Sequence, residues 1–321
     1  MAPDQTDRPA TPPEGPAPAL PIAGILDAHQ HFWDPQANYH PWLCDAEAIP
    51  FRYGDYSPLR RPYLPPEYRA AMGRLPLLGS VYVETEWDPA DPLGESRWVS
   101  ALAAREGLPS AVVAQAWLNH EDVADVLAGQ AAFPLVRGIR HKPAAAGSPQ
   151  AARSGAPGSM DDPRWRDGYA LLERHGFSFD LQTPWWHLDA AARLAGDFPR
   201  VPLILNHTGL PALRDPENLG RWRQALEGLA RQPNTAIKIS GLGLANQPWR
   251  VEANGPLIRD AITIFGVERA MFASNFPVDS LVVENLETLW RNFLGIVADY
   301  APADQAALFG GNAARWYRIA P

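Results

Sequence analysis

Eight short apolar segments recur along this chain, and they constrain its fold more than any other feature of the sequence. Each is six to eight residues long and is bounded by glycine, proline or a polar turn, as is typical of strands buried in a parallel sheet. The segments are residues 25–31, 80–85, 111–118, 135–141, 177–182, 202–207, 236–241 and 270–275. The pattern predicts eight β-strands.

The sequence between these strands has the periodicity of helices. Leu219, Trp222, Leu226 and Leu229 fall on one face of a 3.6-residue period. Asp162 followed by Pro163 predicts the start of another helix, with a capping carboxylate and a proline in the first turn. Eight strand–helix units in about 300 residues favour a closed, single-domain (β/α)8 TIM barrel. A doubly wound open sheet is the alternative, but no Gly-x-Gly-x-x-Gly turn supports a dinucleotide site.

The amino-terminal segment differs in composition from the rest of the chain. Seven of its first 23 residues are proline, among small and polar residues, and such a segment cannot bury enough apolar surface to order itself. We therefore expect a disordered tail over residues 1–23 and the barrel domain over residues 24–321. Two connections, residues 32–61 and 142–161, are long enough to be loops that cover a substrate.

Charge and cysteine content exclude several classes of protein. The net charge of −8 includes no basic block, so we expect neither nucleic acid nor an anionic membrane as a partner. The single cysteine, Cys44, excludes an internal disulfide, and the first residues do not resemble a signal peptide. We expect a cytoplasmic protein that acts on a small molecule. No pattern indicates an oligomeric state.

The first strand carries the clearest candidate site. Side chains alternate along a strand, so His29 and His31 point to the same side, with Asp27 beneath them. Two neutral imidazoles in that position can hold a divalent metal or polarise a substrate oxygen. A pair of ordinary strand histidines is the alternative.

Polar side chains also end the other strands. In a TIM barrel these ends meet at one mouth, where the catalytic groups stand. The residues are Glu84, Glu86, Gln115, His141, Gln182, His207, Ser240 and Asn275. A single one could be a satisfied core polar group, but their agreement predicts one cleft with histidines and carboxylates, suited to metal-assisted or acid–base hydrolysis. We expect His141 and His207 to converge with the first-strand pair.

Several strings in order along the chain resemble one family. They are DAHQHFW at 27–33, VRGIRH at 136–141, LNHTG at 205–209, KISG at 238–241, MFASNFPV at 271–278 and GNAARWYR at 311–318. They resemble the sugar-lactone and pyrone-dicarboxylate lactonase branch of the amidohydrolase superfamily. The resemblance implies a (β/α)8 hydrolase that opens a lactone ring, with His29, His31 and His207 in the catalytic centre and as metal ligands.

Substrate-binding groups are expected on the loops and strand ends. The resemblance implies that loop arginines and aromatic residues hold a substrate carboxylate or hydroxyls. The candidates are Arg52, Arg60, Arg61, Arg140, His141, Gln182, Trp186 and Asn275. For each arginine the alternative is ordinary surface charge.

Two positions depart from the family pattern. Metal-binding members usually have a fifth-strand His and an eighth-strand Asp, where this chain has Gln182 and Asn275. Amide oxygens are weaker metal ligands than carboxylates, and an amide cannot act as a base. We therefore expect at most one divalent ion, zinc or manganese, bound weakly. Lys142 is the nearest residue to a carbamylated bridging lysine but lies in a loop, so a binuclear centre is not expected.

The general base must then be another residue. Glu84 is the first candidate, because it lies deeper in its strand than Glu86, and Asp279 is the second. The sequence thus predicts a hydrolase in which water attacks a lactone carbonyl beside the histidine cluster. A non-oxidative, metal-dependent decarboxylase on the same scaffold and a barrel that binds without catalysis are the alternatives.

Overall fold

Eight parallel strands form the centre of this protein. A computed structural model describes residues 22–320 of the 321-residue chain. The strands are β1 Ile25–Gln30, β2 Leu77–Val83, β3 Ala111–Gln115, β4 Val136–Arg140, β5 Ser178–Leu181, β6 Leu203–Leu205, β7 Thr235–Ile239 and β8 Ala270–Phe272. They pair in sequence order from β1 to β8, so the predicted (β/α)8 TIM barrel is confirmed.

The barrel closes between its first and last strands, just beyond the end of β8. The backbone N–H of His31 donates to the Phe276 carbonyl at 2.8 Å, and that of Asn275 donates to the His29 carbonyl at 2.8 Å. Asp27 adds side-chain bonds from β1, accepting from the Ser274 backbone at 2.9 Å. The closure therefore holds the first-strand histidines against the loop that carries Asn275.

Helices surround the sheet. They are α1 Pro41–Cys44, α2 Pro65–Ala71, α3 Gly94–Glu106, α4 Val123–Ala131, α5 Pro163–Ala170, α6 Leu172–His175, α7 Leu188–Asp197, α8 Pro216–Ala230, α9 Val251–Phe265, α10 Leu286–Ile296, α11 Pro302–Ala306 and α12 Asn312–Trp316. Both predicted helices are confirmed: the Asp162 carboxylate caps α5 by accepting from Arg164 N at 3.0 Å, and α8 buries Trp222, Leu226 and Leu229. No helix between residues 22 and 320 is long and apolar enough to cross a membrane.

Two layers of apolar side chains stabilise the barrel. Inside it, Leu26, Val81, Val83 and Ile204 are buried with neighbouring residues, while a larger core fills the space between the sheet and the helices. Each fully buried aliphatic side chain contributes about 1.5–3 kcal/mol. The two layers fix the strands, and so the positions of the residues that end them.

Each of the eight strands ends one to three residues before its predicted carboxyl end, and two of these ends are followed by unusual backbone. β6 stops at Leu205 and β8 at Phe272, because the chain then turns into left-handed backbone at His207 (φ 53°) and Asn275 (φ 55°). Residues other than glycine rarely adopt this conformation, and it clusters at functional sites. Strain is thus stored in the two loops that present His207 and Asn275.

The predicted tail lies almost wholly outside the described residues. Residues 1–21 are not described, and Ile22 is already buried in the outer core.

Candidate active site

A cavity of about 250 Å³ opens at the carboxyl end of the barrel. It is lined by His31, Trp33, Trp42, Ile49, Pro50, Phe51, Arg52, Thr85, Glu86, Arg140, Lys142, Gln182, His207, Asn275 and Val278. Four of the predicted substrate-binding residues are among them: Arg52, Arg140, Gln182 and Asn275. Six lining residues come from the predicted loop at residues 32–61, which therefore covers one side of the cavity.

His31 and His207 line this cavity, and the buried His29 ring contacts both of them. The Nε2 atoms of His29 and His31 are 3.2 Å apart, and the His29 and His207 ring centroids are 4.7 Å apart. All three rings are buried. The structure thus brings together the three histidines that the sequence predicted to share a centre.

The tautomer of His31 is set by its second nitrogen. Nδ1 lies 2.8 Å from the Val83 carbonyl oxygen, which only accepts, so Nδ1 carries the hydrogen and Nε2 has a lone pair. That lone pair faces Asn275 Oδ1 at 3.3 Å. Burial and the Arg140 charge lower the pKa of His31 to about 3, so the ring is neutral at physiological pH.

His207 stands beside the pair with one nitrogen free. Its Nδ1 lies 2.9 Å from the Ser240 hydroxyl, and its Nε2 has no hydrogen-bond partner among the described residues. Burial, followed by the charges of Arg52 and Arg140, holds the pKa of His207 well below its usual value. The cavity is therefore lined by a neutral imidazole with an available nitrogen.

Asp27 fixes the base of the cluster, as its place beneath the histidines predicted. Its Oδ1 accepts from His29 N at 3.0 Å, and its Oδ2 accepts from Tyr68 Oη at 2.8 Å and Ser274 Oγ at 2.5 Å. Burial raises the pKa of this carboxyl, and the hydrogen bonds, which lower the pKa, offset only part of that rise. Because its oxygens are occupied below the rings, Asp27 positions the cluster and does not face the cavity.

Glu84, the first predicted base, is held in a buried ion pair. Its Oε1 is 2.5 Å from Arg140 Nε, and its Oε2 accepts from Glu86 N at 2.8 Å. Burial alone would raise the pKa of Glu84, but the charges of Arg140 and Lys142 bring it below its usual value. The carboxylate does not line the cavity, so its role as base stays a prediction that this geometry does not favour.

Asp279, the second predicted base, is also occupied. Its Oδ1 accepts from Asn275 Nδ2 at 2.6 Å and from Tyr53 Oη at 3.0 Å, with Arg52 Nη2 at 3.7 Å. A hydrogen bond from the Gly241 backbone adds to these, and burial raises its pKa. Asp279 lies behind Asn275 and orients its amide. Its role as base stays a prediction.

The other predicted substrate residues lie away from the cavity. His141 stacks on Trp165, whose Nε1 donates to His141 Nδ1 at 3.0 Å. Arg61 forms an exposed pair with Glu67, and Arg60 Nη1 donates to a backbone carbonyl. His141 therefore does not join the other three histidines, contrary to the sequence expectation.

Trp186 lines a different cavity, beside the first. Its Nε1 donates to the Ala146 carbonyl at 2.9 Å, and Ala146 N donates to His187 Nε2 at 2.9 Å. The long loop at residues 142–161 thus packs against the loop that follows β5. Only Lys142 of that long loop lines the first cavity, where it pairs with Glu86.

Sequence reasoning missed a buried ion pair under the histidines. Lys238 Nζ is 2.6 Å from Asp180 Oδ1, and both side chains are fully buried. Tyr317 Oη donates to the same carboxylate at 2.9 Å. Next to burial, the Lys238 charge is the main cause of the low pKa of His29. Lys238 shares a strand face with Ser240, so period-2 alternation could have found it.

The donor set at the cavity floor suits a single cation. Two imidazole nitrogens on one tetrahedral zinc lie about 3.3 Å apart, because each Zn–N bond is about 2.0–2.1 Å, and the His29 and His31 Nε2 atoms are 3.2 Å apart. The His31 Nε2 lone pair also faces Asn275 Oδ1. Both atoms are acceptors and repel each other, and a cation bound between them would remove this repulsion. Within residues 22–320 no three His, Cys, Asp or Glu side chains are grouped to hold a metal, so the arrangement does not support His207 as the third ligand that the sequence predicted. A third donor to such an ion would be the Asn275 amide oxygen.

Comparison with known proteins places this geometry in a family. A family model described as Amidohydrolase matches residues 26–319. The uncharacterized protein y4mH of Sinorhizobium fredii (strain NBRC 101917 / NGR234) is 38% identical over 295 residues, which are 92% of this chain and 98% of that protein. The L-fucono-1,5-lactonase of Burkholderia multivorans (strain ATCC 17616 / 249) is 28% identical over 310 residues, covering 92% of this chain and 96% of the relative.

A solved structure agrees with these relatives. The crystal structure of a Burkholderia multivorans amidohydrolase with bound zinc has a TM-score of 0.76 and 27% identity, covering 93% of this chain and 100% of that one. The fold, the family match over nearly the whole chain and the histidine cluster agree. The chain therefore belongs to the amidohydrolase family.

Proposed function

We propose that this protein is a hydrolase of carboxylic esters that opens a lactone ring by attack of water on the ring carbonyl. The observation that carries the proposal is a group of three neutral imidazoles at the carboxyl end of the barrel, two of which, His31 and His207, line the cavity. The similarity to an L-fucono-1,5-lactonase supports a lactone as substrate.

One divalent ion, zinc or manganese, is the cofactor that these residues suit. His29 Nε2, His31 Nε2 and Asn275 Oδ1 would hold it. When bound, the ion supplies Lewis-acid polarisation of the carbonyl and lowers the pKa of water. Two imidazoles and one amide make a weak site, in keeping with the low affinity expected from the sequence.

His207 is the proposed proton acceptor. Glu84 has both oxygens occupied by protein donors, and Asp279 has Oδ1 occupied by Asn275 and Tyr53. Neither carboxylate lines the cavity, whereas His207 lines it with an Nε2 that has no partner among the described residues. Water adds to the carbonyl carbon while its proton moves to His207 Nε2. The Ser240 hydroxyl accepts from Nδ1–H and stabilises the imidazolium that forms.

The tetrahedral intermediate then collapses with cleavage of the ring C–O bond. The same His207 Nε2 returns its proton to the leaving alkoxide, and the product is a hydroxy acid. The Arg52 guanidinium, which lines the cavity and is 28% exposed, supplies positive charge to the oxyanion and to the product carboxylate. Arg140 contributes less, because Glu84 neutralises it.

A hydrolysis screen tests the proposal. The purified protein is mixed with sugar 1,4- and 1,5-lactones, pyrone acids and muconolactone acids under a pH indicator, with and without added zinc or manganese. Ring opening of at least one lactone class supports the proposal. Release of carbon dioxide from aromatic or enoic acids would identify a decarboxylase instead, and binding without turnover would identify a non-catalytic barrel.

A further inference from the structure

A second cavity, of about 320 Å³, lies beside the proposed catalytic cavity. Arg52 lines both, and its Nη2 donates to the Gly241 carbonyl at 3.0 Å. A side chain at Gly241 would place its Cβ 2.7 Å from both Arg52 and His207. Glycine at residue 241 therefore allows Arg52 and His207 to pack closely against the chain that follows β7, at the edge of the second cavity.

The walls of the second cavity are mostly apolar. They come from the loops that follow β5, β6 and β7, and include Pro184, Trp186, Leu210, Pro211, Leu244 and Ala245. Trp186 is held in place by its hydrogen bond to Ala146. A preformed apolar cavity next to a reacting centre favours a ligand with an apolar part.

Arg214 stands in the same wall, and it has no carboxylate partner among residues 22–320. Arg214 Nη2 donates to the Leu242 carbonyl at 2.8 Å and to Asn254 Oδ1 at 3.3 Å, and Nη1 donates to the Ala253 carbonyl at 3.5 Å. All three acceptors are neutral. The Arg214 Nε is buried with no partner, and no ion pair to Arg214 occurs among the described residues. A partly buried guanidinium without a counterion is costly unless an anion accompanies it.

We propose that the substrate is a lactone bearing an apolar arm that ends in a carboxylate. The ring lies over the histidines, the arm passes Arg52 into the second cavity, and the carboxylate pairs with Arg214. This inference rests on the proposed function for its ring-opening part, while the arm site rests on the second cavity alone.

A matched lactone series tests the arm. The kcat/KM is measured for an unsubstituted lactone, for alkyl lactones of increasing length, and for the same arms ending in a carboxylate. Each methylene buried should raise kcat/KM about three- to fourfold, and the terminal carboxylate should add about tenfold or more. Equal kcat/KM along the wild-type series would overturn the inference.

Variants separate the two parts of the arm site. In Arg214→Met, the kcat/KM for carboxyalkyl lactones should fall to that for alkyl lactones of the same length. Arg214→Lys should keep part of the difference. Ala245→Trp fills the cavity, so the kcat/KM for alkyl lactones should fall to that for unsubstituted lactones. Arg153→Met, at an exposed arginine outside both cavities, should change neither difference. An Arg214→Met enzyme that keeps the wild-type difference between carboxyalkyl and alkyl lactones would contradict the anion site.

Product binding gives an answer that does not need turnover. Calorimetry measures Kd for the ring-opened hydroxy acids of the same series. If no lactone is hydrolysed, the proposed function fails, yet tighter binding of the carboxyalkyl acids that is lost in Arg214→Met would still support the arm site. If lactones are hydrolysed but neither kcat/KM nor Kd depends on the arm, the inference fails and the proposed function stands.

Discussion

Removal of Arg140 should destabilise the barrel by about 3–5 kcal/mol. Arg140 and Glu84 are both nearly inaccessible, at 4% and 2% side-chain exposure, and their closest atoms are 2.5 Å apart. Arg140 Nη2 also donates to the Glu84 backbone carbonyl. Arg140→Met would leave the Glu84 carboxylate buried without its counterion, the situation that costs about 3–5 kcal/mol in a buried pair.

A double-mutant cycle isolates the pair. Urea unfolding is followed by tryptophan fluorescence for wild type, Arg140→Met, Glu84→Gln and the double variant. The double variant should lose clearly less free energy of unfolding than the sum of the single variants, because it leaves no uncompensated charge. A loss below about 1 kcal/mol in Arg140→Met, or additive losses, would refute the account of Glu84 as an ion-pair partner.

The same pair predicts a dependence on pH. The pKa of Glu84 is lowered in the folded protein from its ordinary 4.5. The stability that the ionised carboxylate contributes is therefore present above pH 4.5 and is lost as pH falls through the folded pKa. The stability difference between wild type and Glu84→Gln should therefore be constant near neutral pH and disappear on acidification. A difference that grows on acidification would contradict the sign.

Three further outcomes are expected. Burial and the nearby Glu84 charge raise the pKa of Glu95 to about 7, so wild type should lose stability relative to Glu95→Gln as pH rises from about 4.5 through 7 in urea titrations; a loss towards acid pH would refute this. Gly241→Ala should lower kcat/KM for any lactone turned over, because φ is +61° and the new Cβ meets His207; wild-type activity would contradict it. Metal analysis after dialysis against a chelator should find less than one equivalent per chain, and two retained equivalents would contradict the ligand set.

The fold followed from the sequence because strand alternation and helix periodicity are local signals. The strand ends did not, since the left-handed backbone at His207 and Asn275 is imposed by barrel closure and by neighbouring loops. Non-glycine residues in this conformation give no clear local signal. The predicted strands at 202–207 and 270–275 were consequently too long.

The strand alternation of side chains predicted the positions of His29 and His31 correctly. The same rule, applied to the neighbours Arg140 and His141, would have placed them on opposite faces of their strand. His29 and His31, two residues apart, face each other as expected. His141 follows Arg140 directly, so when Arg140 faces the cavity His141 points to the helices, against Trp165. The charge on Glu84 could not be judged from its strand position, because its Arg140 partner is 56 residues away in sequence.

The most direct test of the catalytic account is kcat/KM of His207→Gln on the lactone that wild type hydrolyses best. Glu84→Gln and Asp279→Asn are the matched comparisons, and the Kd of the ring-opened product shows whether each variant still binds. The account predicts a loss of about 10²–10⁴-fold for His207→Gln with product binding kept. A His207→Gln enzyme within about tenfold of wild type, together with a large loss in Asp279→Asn or Glu84→Gln, would contradict it and move the base to that carboxylate.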